Sequence, residues 1–146
     1  MVLEKLVGLH GKYIEYHMYL TNLFFIPAII MMVLALKDKK YNFYDGVMSY
    51  KQGLISGIIL SAIIALLNPF AQWFTSVVIT PEYFPNVIEY SLESGFHSTR
   101  AEAEAMFNYK SYAIQGTIGA LVMGAVTTAI AMIFLRAKEQ QVAVQL

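Results

Sequence analysis

The chain contains no cysteine, which excludes disulfides, thiolate metal sites and a cysteine nucleophile. It is also poor in charge. Only 14% of its 146 residues are Asp, Glu, Lys or Arg, against about 25% in an average soluble domain. Ten basic residues balance ten acidic ones, so no net field draws nucleic acid or another polyanion, and none is expected as a partner. Residues 18–36, 52–80 and 111–135 hold no Asp, Glu, Lys, Arg or His. A proton relay, an ion-coupled site at mid-bilayer and intramembrane acid–base catalysis all need such groups, so these runs offer none of the three. The phosphate-binding loop, the dinucleotide fingerprint and the HExxH and GxSxG signatures are missing too. No cofactor is implied.

What is present is apolar: 58% of the residues are hydrophobic, above the about 45–50% of soluble domains. All the charges fall in residues 1–17, 37–51, 81–110 and 136–146. The three uncharged runs between them are 19, 29 and 25 residues long. At about 1.5 Å of rise per residue, each suffices to cross a hydrocarbon core about 30 Å thick as a helix. The runs are continuous and lack the alternation of a membrane β-strand. The expected fold is therefore all-α, a polytopic membrane helix bundle. Its transmembrane helices span 18–36, 52–80 and 111–135. Residues 1–17 form an outer interfacial helix, and 81–110 form an outer helical loop.

Orientation follows from lysine and arginine in the short loops. Residues 37–51 and 136–146 hold six of them, while residues 1–17 and 81–110, nearly twice as long, hold four. The first pair is expected on the cytoplasmic side and the second pair outside, which puts the N-terminus outside. No cleavable signal explains such an end. The arrangement is that of a four-span protein whose first helix would precede residue 1.

Helix association in lipid depends on small residues that let backbones approach. The second span carries Gly53, Gly57 and Ser61 at four-residue intervals, followed by Ala65. The third repeats the device with Gly116, Ala120, Gly124 and Thr128. The two stripes are expected to face each other, with homodimerisation through one stripe as the alternative. A leucine at Gly124 should push the pair apart, and an alanine should be tolerated. Pro27 and the pair Asn68-Pro69 interrupt the first and second spans, each removing a backbone donor, and a kink is expected at both. Asn22, Asn68 and Gln115 are expected to hydrogen-bond between helices rather than to line a polar path.

The outer loop carries explicit helix signals. Thr80-Pro81-Glu82 reads as N-cap, first-turn proline and early acid, starting a helix that Gly95 ends. Thr99 and Glu102 make a capping box for a second helix toward Lys110. Glu89, Glu93 and His97 would share one face as metal ligands if the first of these helices ran through Gly95. A solvated face with a loop histidine is the plainer reading. His10 and His17, seven residues apart, fall on one face of the N-terminal helix, where packed or interfacial histidines are the ordinary case. Leu3, Leu6 and Val7 share that face, and Glu4, Lys5, Lys12 and Glu15 lie off it.

From Lys40 onward the order of features becomes specific. Tyr50-Lys51-Gln52-Gly53 opens a span, Asn68-Pro69 interrupts it, and Ile79-Thr80-Pro81-Glu82-Tyr83-Phe84 closes it. Ala101-Glu102-Ala103, Phe107-Asn108, Tyr112 and Gln115 then lead into the last span. Over roughly residues 5–138 this resembles the bacterial inner-membrane family known as domain of unknown function 4199. Members usually begin with one more hydrophobic helix, in keeping with the orientation reasoning. The resemblance implies a fold and a bacterial inner-membrane location, and no reaction. The expected role is that of a structural or accessory membrane component, not an enzyme. The expected partner is the lipid bilayer, with a homo-oligomer or a larger membrane complex as a further candidate. One rival is a subunit of an oligomeric transporter or channel. The other is a membrane enzyme with an outer-face site drawn from Glu89, Glu93, His97 and His10.

Overall fold

A computed structural model describes residues 2–137; the tail beyond them, with Lys138, lies outside the described residues. The protein is all-α, without strands among those residues. The helices are α1 (Val2–Leu6), α2 (His17–Asn22), α3 (Phe25–Phe43), α4 (Tyr50–Phe74), α5 (Tyr83–Glu93), α6 (Arg100–Met106) and α7 (Tyr109–Leu135). Three helical stretches are long and apolar enough to cross a membrane: Ile14–Phe43, Tyr50–Ile79 and Tyr109–Leu135. The chain divides into two compact units, one of residues 1–24 and 67–117, the other of residues 25–66 and 118–146.

The second unit packs α3, the first part of α4 and the last part of α7. Its core is Met32, Leu36, Met48, Ala131 and Met132. Beside this core the small residues meet in antiparallel register. Gly53 lies against Met132, Gly57 against Thr128, and Ser61 against Gly124. Each step of four along α4 is matched by a step of four back along α7. The two hydroxyls on this seam are satisfied within their own helices. Ser61 donates to the Gly57 carbonyl at 2.8 Å and Thr128 to the Gly124 carbonyl at 2.7 Å. Neither needs a polar partner across the seam, so both behave as small packing groups. Tyr50 does cross, donating to the Ala129 carbonyl at 3.2 Å.

Of the two span prolines, only Pro27 lies away from the middle of a helix. The first span is two helices: α2 ends at Asn22, and Leu23 and Phe24 turn through bonds to the Leu20 and Thr21 carbonyls. Pro27 then sits in the first turn of α3, where a missing N–H is no loss. Pro69 lies inside α4, which stays helical through it, and a five-residue π turn follows at Thr75–Ile79. α3 also runs two turns beyond residue 36, taking Lys37 to Lys40 into the helix. Lysines there keep helical geometry, complement the negative end of the helix dipole and reach outward from the apolar segment. The chain leaves through Asp45 and Gly46, both at positive φ, 48° and 82°.

In the first unit, α5 starts later than its sequence signals suggest. Glu82 is its N-cap, without a side-chain capping bond, and Thr80 instead closes the π turn by donating from both N–H and hydroxyl to the Thr75 carbonyl. Gly95, at φ 71°, follows the helix end. α6 opens with the Thr99–Glu102 capping box and ends at Met106, short of Lys110. Asn108 separates it from α7: its side chain donates to the Glu104 carbonyl and accepts from the Ser111 N–H. Asn68, inside α4, donates to the Ala113 carbonyl at 3.1 Å, and its amide packs against Gly116. Gly116 therefore faces an asparagine and not the Gly53–Gly57–Ser61 stripe.

The seam sets a test. A Cβ on Gly124 would overlap both Cβ and Oγ of Ser61, and one on Gly57 would overlap the Thr128 side chain. Alanine is thus already too large at Gly124, contrary to the expectation from sequence. Gly124→Ala and Gly57→Ala should each destabilise by about 1–3 kcal/mol, the usual cost of overpacking. Gly119→Ala, at a site with open space around the added carbon, should be neutral or stabilising because alanine is the better helix former. Reversible unfolding in mixed detergent micelles measures all three. Equal stability of the Gly119 and Gly124 variants would show that the close contact does not matter.

Candidate functional site

The N-terminal segment is not one interfacial helix. α1 stops at Leu6, and Gly8, at φ 82°, turns the chain back, a conformation open to glycine at no steric cost. The turn is closed by Leu9 N–H to the Glu4 carbonyl and by Gly11 and Tyr13 N–H to the Gly8 carbonyl. A short 3-10 turn at Ile14–Tyr16 leads into α2. This reversal inverts the expected faces. Leu3, Leu6 and Val7 are more than half exposed, while Glu4 is 4% exposed.

Buried Glu4 meets two histidines. His10 comes from the turn and is 3% exposed; His17 is the first residue of α2 and is 8% exposed. Their rings sit 5.3 Å apart, and His10 Nε2 is 3.8 Å from the Glu4 carboxylate. One ligand-type atom from each of Glu4, His10 and His17 lies within 4.8 Å of the others. Tyr83 of α5 forms one wall, with ring centroids 5.0 Å from His10 and 4.8 Å from His17. Its hydroxyl is 2.9 Å from the Tyr112 hydroxyl and 3.5 Å from His17 Nδ1. Thr21, one turn past His17, donates to the Glu4 carboxylate at 2.7 Å.

The surrounding bonds hold the N-terminal turn in place. Asn86 of α5 donates to the His10 carbonyl at 2.6 Å. Lys5 bonds the Ile79 carbonyl at 2.7 Å and pairs with Glu82 at 2.9 Å. The Lys5 ammonium holds the Glu82 carboxyl below its ordinary pKa. Burial, helped by the nearby His17, pushes His10 below its ordinary value against the pull of Glu4, so His10 is a neutral imidazole at pH 7. Burial of Glu4 works against ionisation, but the hydrogen bonds it accepts, that of Thr21 among them, outweigh this and keep its pKa low. Burial raises Tyr83 well above the ordinary tyrosine value, so its hydroxyl is a neutral donor and acceptor. A buried carboxylate and two imidazoles converging on one spot can bind a metal ion or hold a proton.

The other sequence candidates do not converge. α5 ends at Glu93, and Glu89 and Glu93 are both exposed. His97 lies beyond Gly95, packed edge-on between Phe96 and Phe107, with centroids 4.8 and 5.5 Å away. Among the described residues, these three do not form a ligand group. His10 and His17 do come together, through a turn and two short elements and not through one helix. Glu4 was missed because a regular helix would place it off the histidine face. The usable signal was density: two of the three histidines and a glutamate fall within fourteen residues, next to an uncharged run.

Tyr83 is the hinge of the cluster's packing. Tyr83→Phe keeps the ring and loses the hydroxyl contact with Tyr112, and should cost about 0.5–1.5 kcal/mol, the net value of one hydrogen bond. Tyr83→Ala removes a 3% exposed ring and should cost about 3–5 kcal/mol. Thermal unfolding in detergent ranks the two. Equal losses would mean that the ring contributes nothing beyond its hydroxyl.

Comparison with known proteins supplies a family and no activity. No curated protein and no solved structure matches the chain. One family model does, over nearly its whole length. With residues 1–137 matched, the chain belongs to the family described as protein of unknown function (DUF4199).

Proposed function

We propose that this protein is a multi-pass component of the bacterial inner (cytoplasmic) membrane with a structural or accessory role, and not an enzyme. The observation that carries the reading is the closure of its densest polar cluster. An active site must admit a substrate. Glu4, His10, His17 and Tyr83 are 4%, 3%, 8% and 3% exposed, and they are tied to one another and to Thr21, Asn86 and Tyr112. A cluster this enclosed ties the N-terminal turn to α2 and α5 and offers a substrate no approach. Large side chains on the long helices stay bare, among them Leu66 at 80% and Phe134 at 81%. Such surface suits lipid, and suits a homo-oligomer or a larger membrane complex. If the role is structural, His10→Ala and Glu4→Gln lower the protein's melting temperature and its abundance in the membrane together. A variant at normal abundance and full stability that fails to complement a deletion strain would point to catalysis and overturn the reading.

The proposed topology puts residues 37–51 and the C-terminal tail on the cytoplasmic side and residues 81–110 outside, on the strength of the lysine and arginine bias. The chain has no cysteine, so a single introduced thiol reports its own side. Asn42 and Ser98 are exposed positions. Asn42→Cys should resist, and Ser98→Cys should accept, a membrane-impermeant maleimide on intact spheroplasts. Labelling of both from outside would reject the arrangement.

A further inference from the structure

The His10 side chain is 3% exposed, and neither of its ring nitrogens has a hydrogen-bond partner among the described residues. A buried imidazole without a partner forfeits the free energy of its lost hydration, an arrangement folded chains avoid. The ring is not turned toward an apolar wall. Its Nε2 is 3.8 Å from the Glu4 carboxylate and its ring is 5.3 Å from that of His17. Three donors of ligand type therefore surround one spot, within 4.8 Å of one another. Ligands bound at about 2.0–2.2 Å in tetrahedral geometry stand roughly 3.3–3.5 Å apart. A closing movement of about an ångström would bring the three into range.

We infer that Glu4, His10 and His17 form a binding site for a single divalent first-row transition metal ion of the zinc type. The donor set selects the class. Two imidazoles and one carboxylate suit such ions, whereas calcium takes six to eight oxygens and magnesium an octahedral oxygen shell. Thr21, which donates to Glu4 at 2.7 Å, orients the carboxylate as outer-shell partners of metal ligands do. The Tyr83 ring, with centroids 5.0 Å from His10 and 4.8 Å from His17, walls one side of the site. Bound metal would staple the N-terminal turn to the start of α2 and supply the partner that His10 lacks. The inference deepens the structural role proposed above and rests on it.

The test uses the full chain in detergent, purified on a tag without histidine and stripped with EDTA. Titration with cobalt(II) should give the visible absorption of a low-symmetry nitrogen–oxygen site, saturating at one ion per chain, and zinc should displace it. His10→Ala/His17→Ala, checked for helicity by circular dichroism, should weaken binding by roughly 100-fold or more. His97→Ala should bind as the wild type does. Wild-type protein that is folded and takes up no cobalt overturns the site, as does full binding by the double variant or its loss in His97→Ala. If the double variant does not fold, imidazole nitrogen resonances of the wild-type protein decide. Zinc should shift those of His10 and His17 and leave His97 in place, and unmoved His10 and His17 signals would overturn the site. A failed titration removes the metal but leaves the structural role standing, since that role is judged by stability, abundance and complementation.

Discussion

Close approach of two helix backbones is the contact on which the α3–α4–α7 unit depends. Lipid tails are as apolar as leucine, so a helix in a bilayer gains nothing by hiding leucine, and it gains by dispersion where side chains are small enough to let backbones meet. Ser61 against Gly124 and Gly57 against Thr128 are such places. The hydroxyls on this seam bond to their own helices, so the contact adds no unsatisfied polar atom. The large residues of α3, α4 and α7 can then remain on the outside, where Ile59, Leu66, Ile130 and Phe134 are all more than half exposed.

The other unit solves a different problem. Its buried polar residues are gathered into one network, in which the His10 ring alone lacks a hydrogen bond among the cluster's side chains. Tyr83 makes this possible. Its ring covers both histidines and its hydroxyl reaches Tyr112 on α7. Around it, Asn86 holds the backbone of the N-terminal turn and Lys5 is held by Ile79 and Glu82. Within the unit, these bonds bring residues far apart in sequence onto one cluster. Asn68 plays a comparable part, donating from its amide to the Ala113 carbonyl of α7 at 3.1 Å.

Much was legible before any coordinates. Uncharged length marks the spanning helices, because charge in hydrocarbon costs several kcal/mol whatever the fold. Four-residue spacing marks the seam, because only small residues at helical period permit close approach. Thr99 with Glu102 marks the start of α6, because both capping bonds are local. Where reading failed, a non-local or conformational choice intervened. Thr80 had the chemistry of an N-cap, but the π turn before it claimed the residue. The lysines after residue 36 looked like a loop, but nothing in a helix forbids them once its end has left the apolar layer.

The sequence by itself determined that the chain is helical, that three stretches can cross a membrane and that Gly57, Ser61 and Gly124 lie on packing faces. Each of these follows from composition, length or a period of 3.6, and such properties survive any change of tertiary context. Only the tertiary structure decided that Glu4 is buried while Leu3, Leu6 and Val7 are bare, and that Glu4, His10 and His17 converge while Glu89, Glu93 and His97 do not. The difference lies at two glycines. Gly8 turns the chain back at positive φ and so breaks the helical period that would have kept Glu4 away from the histidines. Gly95 stops α5 before His97 can join its face. A helical wheel assumes that the helix continues, and at both places the backbone does not.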